Sequence, residues 1–209
     1  MAAKIIKVDS ARPEAAYSRC REVIASGGVI AYPTDTFYAL GADPQNSAAV
    51  KRLFAIKGRQ KDQPILLLIA DPADAERWAA EITSTAAGLM SRYWPGPLTL
   101  VFGAKDGVLP ELTAGTGTIG LRVPGSVLAR GLIRFIGHAL TGTSANRSGR
   151  PNVRTAQEAV EEIGGLADLI LDGGQTAGGA ASTVLDVTAA VPRLIREGAV
   201  PAKEVIRSS

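Results

Sequence analysis

A chain of 209 residues with 46% apolar content is long enough to bury a sizeable core without disulfides or metals, and it suits one domain. Its 23 basic and 20 acidic residues leave a net charge of +3, which excludes a polybasic arm and requires any anion or nucleic-acid binding to come from local clustering. The single cysteine excludes an internal disulfide and the single histidine a Cys/His zinc cluster; with no signal-peptide pattern or membrane-length apolar run, a cytoplasmic protein without membrane contact is expected.

In chain order, Ile5 to Val8 reads as a first strand, and Pro13 precedes a helix that ends at Gly27-Gly28. Cys20 shares a helical stripe with Ala16, Val23 and Ile24, which makes it a core residue. Val29-Ile30-Ala31-Tyr32 reads as a buried strand stopped by Pro33, and the polar turn Thr34-Asp35-Thr36 follows. Such a turn can cap the next element, or it can present hydroxyls and a carboxylate to a ligand at a strand end; the segment alone leaves both open. Asn46 or Ser47 caps a helix with Val50, Leu53 and Phe54 on one face and Gly58 at its close. Lys57 and Arg59 then lie at the helix exit, where cations complement the dipole or meet an anion. Under the family resemblance given below, both are expected to serve a ligand more than the core, so alanine at either would abolish turnover with the fold intact.

Ile65 to Ile69 has the continuous apolar character of a central strand, and two helices are expected across Pro72 to Tyr93. Trp94-Pro95-Gly96-Pro97 breaks the chain before a strand at Leu98 to Phe102. The run from Gly115 to Gly120 matches GxGxxG, but it enters a strand instead of opening a helix, so no dinucleotide site is expected. Arg122 lies inside that strand, where a charge needs a partner or a ligand. A helix from Gly125 to Phe135 and a strand from Ala139 to Thr143 follow, with His138 read as a boundary residue before the second polar turn, Ser144 to Pro151. Thr155 caps a helix running to Ile163, and Leu169 to Asp172 leads into a glycine-rich loop. That loop suits either close approach of amides to an anion or a flexible surface. Val184 to Val187 and Arg193 to Arg196 complete the strands.

Pro33-Thr34-Asp35-Thr36 with Tyr38-Ala39-Leu40-Gly41, Lys57-Gly58-Arg59, Ser144-Ala145-Asn146 with Ser148-Gly149-Arg150-Pro151, Ser182-Thr183-Val184 and Arg196-Glu197-Gly198 together resemble the YrdC/TsaC family of threonylcarbamoyl-adenylate synthases. The resemblance runs from about Lys4 to Gly198 and implies a single domain over 1–209: an α/β fold with a twisted mixed sheet, flanked by helices, around a deep basic cavity. The implied reaction joins L-threonine, bicarbonate or CO2, and ATP with Mg2+ into threonylcarbamoyl-AMP and pyrophosphate. A downstream complex would transfer the threonylcarbamoyl group to tRNA, with direct RNA contact by this chain left open. Carried over residue by residue, Thr34, Thr36, Arg122, Gly142 and Ser182 would hold threonine. Lys57, Arg59, Gln63, Thr118, Ser144, Asn146, Asn152 and Arg196 would hold ATP. Arg150 is added as a nearby cation that either reaches phosphate or remains in solvent, and no side-chain metal site is expected.

Ala39, Gln60, Gln63 and Leu68 depart from common family choices and bear on the fine threonine and ATP contacts. Two other readings differ in class. An RNA-binding or ribosome-associated module could use the same basic concavity, against which stand the small charge excess and the few aromatics. A carbamoyltransferase would need zinc-binding and acylphosphatase-like segments for which this chain has no room.

Overall fold

The computed structural model describes residues 3–58 and 63–206. Its first half holds β1 (Lys4–Lys7), α1 (Glu14–Ala25), β2 (Ile30–Pro33), β3 (Tyr38–Gly41), α2 (Ser47–Lys57), β4 (Leu67–Leu68), a 3-10 helix (Pro72–Arg77) and α3 (Ser84–Tyr93). Then follow β5 (Leu98–Gly103), α4 (Pro110–Thr113), β6 (Thr118–Arg122), α5 (Val127–Ile136), β7 (Leu140–Thr141), β8 (Thr143–Ser144), α6 (Ala156–Ile163), β9 (Leu169–Asp172), β10 (Thr183–Asp186), β11 (Arg193–Arg196) and α7 (Ala202–Ile206).

The helices start and stop where local chemistry demands. Asn46, Ser126 and Thr155 each accept a backbone N–H from the first turn of α2, α5 and α6, satisfying a donor the helix itself leaves unpaired. Gly58 ends α2 at φ 59°, a left-handed conformation that a Cβ disfavours.

The strands form two mixed sheets, ordered β1-β9-β2-β3-β8 and β11-β10-β5-β6-β4-β7. In the first, β1, β9 and β2 run parallel, while β2-β3 and β3-β8 are antiparallel. Alternation along β2 and β9 assigns each face its own core. Ile30, Tyr32, Leu169 and Leu171 pack with Ala16, Cys20 and Ile24 of α1 and Leu132 and Ile133 of α5. Ala31 and Ile170 join a separate apolar cluster with α2, α6 and the inward side chains of the second sheet.

The expected single sheet is thus divided in two, and the expected strand at Ala139 to Thr143 shows how. Leu140 and Thr141 pair with β4 of the six-stranded sheet, whereas Thr143 and Ser144 pair with β3 of the five-stranded one. The chain changes sheets at Gly142, whose amide donates to the Leu66 carbonyl (2.9 Å). A Cβ there would fall 2.6 Å from Leu68 Cγ and 2.8 Å from Leu66 Cδ1, so only glycine fits the crossing without overpacking. Beside it, buried Thr141 accepts from the Ala42 amide and donates to the Leu40 carbonyl, tying the sheets together with no unpaired hydroxyl.

Three other expectations change. The central strand foreseen at Ile65 to Ile69 is the two-residue β4, next to the sheet edge; the Ile65 amide bonds instead to Leu112 and that of Ile69 to Arg122. The first helix within Pro72 to Tyr93 is a 3-10 helix. The GxGxxG run leads directly into β6, as its context indicated. Among the described residues, no helix is long and apolar enough to cross a membrane.

Candidate active-site cleft

The turn between β2 and β3 is built by Thr34. Its hydroxyl donates to the Phe37 carbonyl (2.7 Å) and accepts from the amides of Thr36 (3.2 Å) and Phe37 (3.3 Å). Its own proton is committed there, so in the 3.1 Å contact between the two hydroxyls Thr36 is the donor. The capping role left open by the sequence therefore belongs to Thr34, and Thr36 keeps lone pairs toward the Arg122 guanidinium, whose Nη1 is 3.5 Å away.

Arg122, at the end of β6, is 4% exposed. Burial of a guanidinium needs compensation, and two acceptors supply it: the Gly96 carbonyl takes Nε–H at 2.9 Å and Asp35 takes Nη2–H at 2.6 Å. The middle residue of the Thr-Asp-Thr turn is thus the partner that the lone charge inside an apolar strand required.

Lys57 reaches from the last turn of α2 into the second polar turn. Its ammonium donates to the carbonyls of Ser144 and Asn146 (2.7 Å each), Ser144 Oγ (3.2 Å) and Asn146 Oδ1 (3.0 Å). Asn146 in turn donates through Nδ2 to the Arg150 carbonyl. The cation organises the loop as well as facing the cleft, so the expectation that it serves a ligand more than the core is corrected. A helix-end position tells nothing of the carbonyls that a distant loop brings to it.

These groups meet in a cavity of about 780 Å3 lined by strands of both sheets. Its wall includes Thr34, Thr36, Lys57, Gln63, Thr118, Arg122, Gly142, Ser144, Asn146, Asn152, Ser182 and Arg196 from the sequence-derived set. Two of that set stand apart. Arg59 lies outside the described residues, as does Gln60. Arg150 is not in the wall: its side chain is 66% exposed and pairs with Glu162 of α6 (3.3 Å), which draws it away from the cavity that Gly149 and Asn152 on either side still line. Around the rim, Ser182 Oγ lies 2.9 Å from Thr99 Oγ1, and Arg196 donates to the Ser182 carbonyl (2.8 Å). Arg122 and Arg196 both line the cavity, and partial desolvation and then the charge of Arg122 lower the Arg196 pKa.

Sequence reading missed Asp186, Arg193 and Ile195 in this wall. Asp186 accepts from Thr188 and from Arg193 (3.0 Å). Its only sequence signal was a charge inside an apolar strand, the same signal that singled out Arg122. The glycine-rich loop is pinned across the first turn: the Gly178 amide donates to the Thr36 carbonyl (2.9 Å) and the Tyr38 hydroxyl to the Gly174 carbonyl (2.7 Å).

A family model for Sua5/YciO/YrdC, described as telomere recombination, matches residues 22–198. The chain belongs to this family. It is 40% identical over 182 residues to the threonylcarbamoyl-AMP synthase of Pyrococcus abyssi (strain GE5/Orsay), covering 87% of this chain and 54% of that protein. With the threonylcarbamoyl-AMP synthase of Bacillus subtilis (strain 168) the identity is 39% over 178 residues, 85% of this chain and 51% of the relative. The chain therefore spans about half the length of these two relatives. The crystal structure of P. abyssi Sua5 complexed with L-threonine superposes with a TM-score of 0.93 at 37% identity, over 98% of this chain and 60% of that one.

Within this Sua5/YciO/YrdC chain, the departures Ala39, Gln63 and Leu68 all fall in the cavity wall. No group of three or more His, Cys, Asp or Glu able to hold a metal ion occurs among the described residues, and Asp186, the one carboxylate among the described wall residues, is already engaged. Cys20 is fully buried, and burial pushes its thiol up to about 12. His138 lies in a separate groove of about 480 Å3 beside Asp71 and Arg134, with its Nδ1 2.8 Å from the Ala139 carbonyl.

Proposed function

We propose that this chain synthesises L-threonylcarbamoyl-AMP from L-threonine, bicarbonate or CO2, and ATP, releasing pyrophosphate, as the first step of tRNA threonylcarbamoyladenosine formation. The observation that carries the reading is the convergence of four distant segments, those of Thr36, Lys57, Arg122 and Ser144-Asn146, on one cavity whose size suits a nucleotide with a small second substrate. The names of the relatives and the threonine-bound neighbour support it. The domain proposed to carry it runs from about residue 4 to 198 of 209, and the family match over 22–198 lies within that span.

In this reading Arg122 grips the threonine carboxylate, Thr36 and Ser182 meet its polar groups, and Thr34 holds the turn. Gly142 lets the backbone line the pocket. Lys57, Ser144 and Asn146 face the phosphates, with Gln63, Thr118, Asn152, Arg196 and the undescribed Arg59 completing the nucleotide site. The threonine amine adds to CO2, giving a carbamate and a proton; a carbamate oxygen then attacks the α-phosphorus in line while the bond to pyrophosphate breaks. Positioning and charge neutralisation by these cations suffice, with no covalent enzyme intermediate. Mg2+ belongs to this proposal as part of the ATP substrate, and no side-chain site for it is assigned. A cytoplasmic location, a downstream transfer complex and contact with tRNA are proposed with the function.

The deciding experiment is pyrophosphate release from ATP and Mg2+ by the purified chain, omitting L-threonine or bicarbonate in turn and replacing L-threonine with L-serine in a parallel sample. Release that needs both threonine and bicarbonate is the expected result. No release in any combination, together with salt-sensitive RNA binding, would transfer the chain to the binding-module reading.

A further inference from the structure

The cleft proposed above must hold a monoanionic carboxylate and a polyanionic phosphate chain without exchanging them, and Arg122 alone cannot tell the two apart. An arginine fork receives carboxylate and phosphate equally well. What distinguishes Arg122 is the group behind it. Asp35 lies outside the cavity wall, yet bonds Nη2 at 2.6 Å, while the Gly96 carbonyl takes Nε. Of five guanidinium donors, these two bonds consume one edge. The Nη1 pair and the second Nη2 proton remain at the tip, with Thr36 Oγ1 at 3.5 Å the further acceptor near Nη1 among the described residues.

We propose that Asp35 is a positioning residue that makes the tip of Arg122 selective for a monoanionic carboxylate over phosphate. The orientation follows from the two bonds. The selectivity follows from local charge: the Asp35 carboxylate, 2.6 Å behind Arg122, offsets the positive charge that a phosphate dianion would need at this tip, and a monoanion needs less of it. A phosphate dianion brings a second negative charge toward Asp35, across a guanidinium that is itself 4% exposed. Arg196, by contrast, bonds the neutral Ser182 carbonyl.

The fold makes room for this arrangement at Gly125. A Cβ there would lie 3.0 Å from Asp35 Oδ2 and 3.2 Å from its Cγ, and the Gly125 carbonyl is itself held by Arg130 (3.1 Å). A methyl group at 125 therefore displaces the Asp35 carboxylate without removing its charge, which separates orientation from electrostatics.

The inference rests on the threonine-binding reading, and calorimetric titration tests it without requiring turnover. L-threonine is titrated into the wild type, Asp35→Asn and Gly125→Ala, with and without inorganic phosphate, and thermal unfolding checks that each variant is folded. Asparagine keeps an acceptor for Nη2 and removes the charge. Expected for Asp35→Asn is threonine binding no weaker than in the wild type but now weakened about tenfold by phosphate, while phosphate shifts the wild type by less than about twofold. Gly125→Ala should weaken threonine binding with no gain in phosphate competition. A folded Asp35→Asn whose threonine binding is no more sensitive to phosphate than that of the wild type overturns the proposal. If Asp35→Asn does not fold, wild-type threonine affinity in Gly125→Ala overturns it. A wild type that binds threonine but releases no pyrophosphate sinks the proposed activity and leaves the role of Asp35 standing; one that binds no threonine removes both.

Discussion

At the residue scale, Lys57 and Arg122 show two ways of keeping a cation buried. Arg122 is offset by a carboxylate, whereas the ammonium of Lys57 is surrounded by Ser144 and Asn146 oxygens. That difference changes what a substitution does. Lys57→Ala leaves two loop carbonyls without their donor, so it should lower stability by roughly 2–4 kcal/mol as well as abolish turnover. Urea unfolding checks this, and a wild-type midpoint in the variant would show that the loop holds itself. Thr34 and Thr36 carry a similar lesson: identical side chains in one turn do different jobs, because the Thr34 proton is spent on Phe37.

Among the elements, β2, β9 and α2 are joined at one carboxylate. Asp168, just before β9, accepts the Val29 amide (2.7 Å) and both terminal nitrogens of Arg52 on α2 (2.6 and 2.8 Å). Burial opposes its ionisation, but the Arg52 hydrogen bonds, the Val29 amide and the Arg52 charge outweigh it, and the Asp168 pKa is lowered. A carboxylate depressed in the folded state stabilises above its unfolded pKa, near 3.9, and that contribution is lost as pH falls through the folded value. The pair is 42% and 35% exposed, so solvent screening holds its worth to about 1 kcal/mol. Asp168→Asn should therefore be less stable than wild type by that amount above about pH 5, with the difference closing at lower pH. Urea titrations between about pH 2 and 7 would show it, and a gap independent of pH would mean that charge has no part in the staple.

For the molecule as a whole, the site is lined by strands of both sheets, and its proposed ligands touch both. Thr36 comes from the first sheet, Arg122 and Ser182 lie at strands of the second, and Gly142 marks the crossing. A ligand bridging them binds only the folded arrangement. Threonine with ATP at a hundred times Kd should add about 2.7 kcal/mol, or roughly 5–10 °C in Tm for a chain of this size. Differential scanning fluorimetry reads this directly, and equal shifts with serine in place of threonine would count against recognition of the methyl group.

The sequence by itself determined the local elements and most of the residues that line the cavity. Helix caps at Asn46 and Thr155 were legible because capping is a contact between near neighbours in the chain. So were the bounds of β9 and β11 and the core placement of Cys20, which hydrophobic patterning dictates. Twelve of the fourteen residues singled out for ligands line one cavity; Lys57, Ser144 and Ser182 among them stand in the short motifs, whereas Gln63, Thr118, Gly142 and Asn152 were named from the family resemblance and Arg122 also as a charge inside a strand. Tertiary structure decided what depends on distant partners. It divided the strands into two sheets at Gly142, reduced Ile65 to Ile69 to a two-residue strand, turned Arg150 outward to Glu162, and placed Asp35 behind Arg122. Each of those outcomes is a contact between segments far apart in the chain, where hydrogen-bond satisfaction and close packing outrank local propensity.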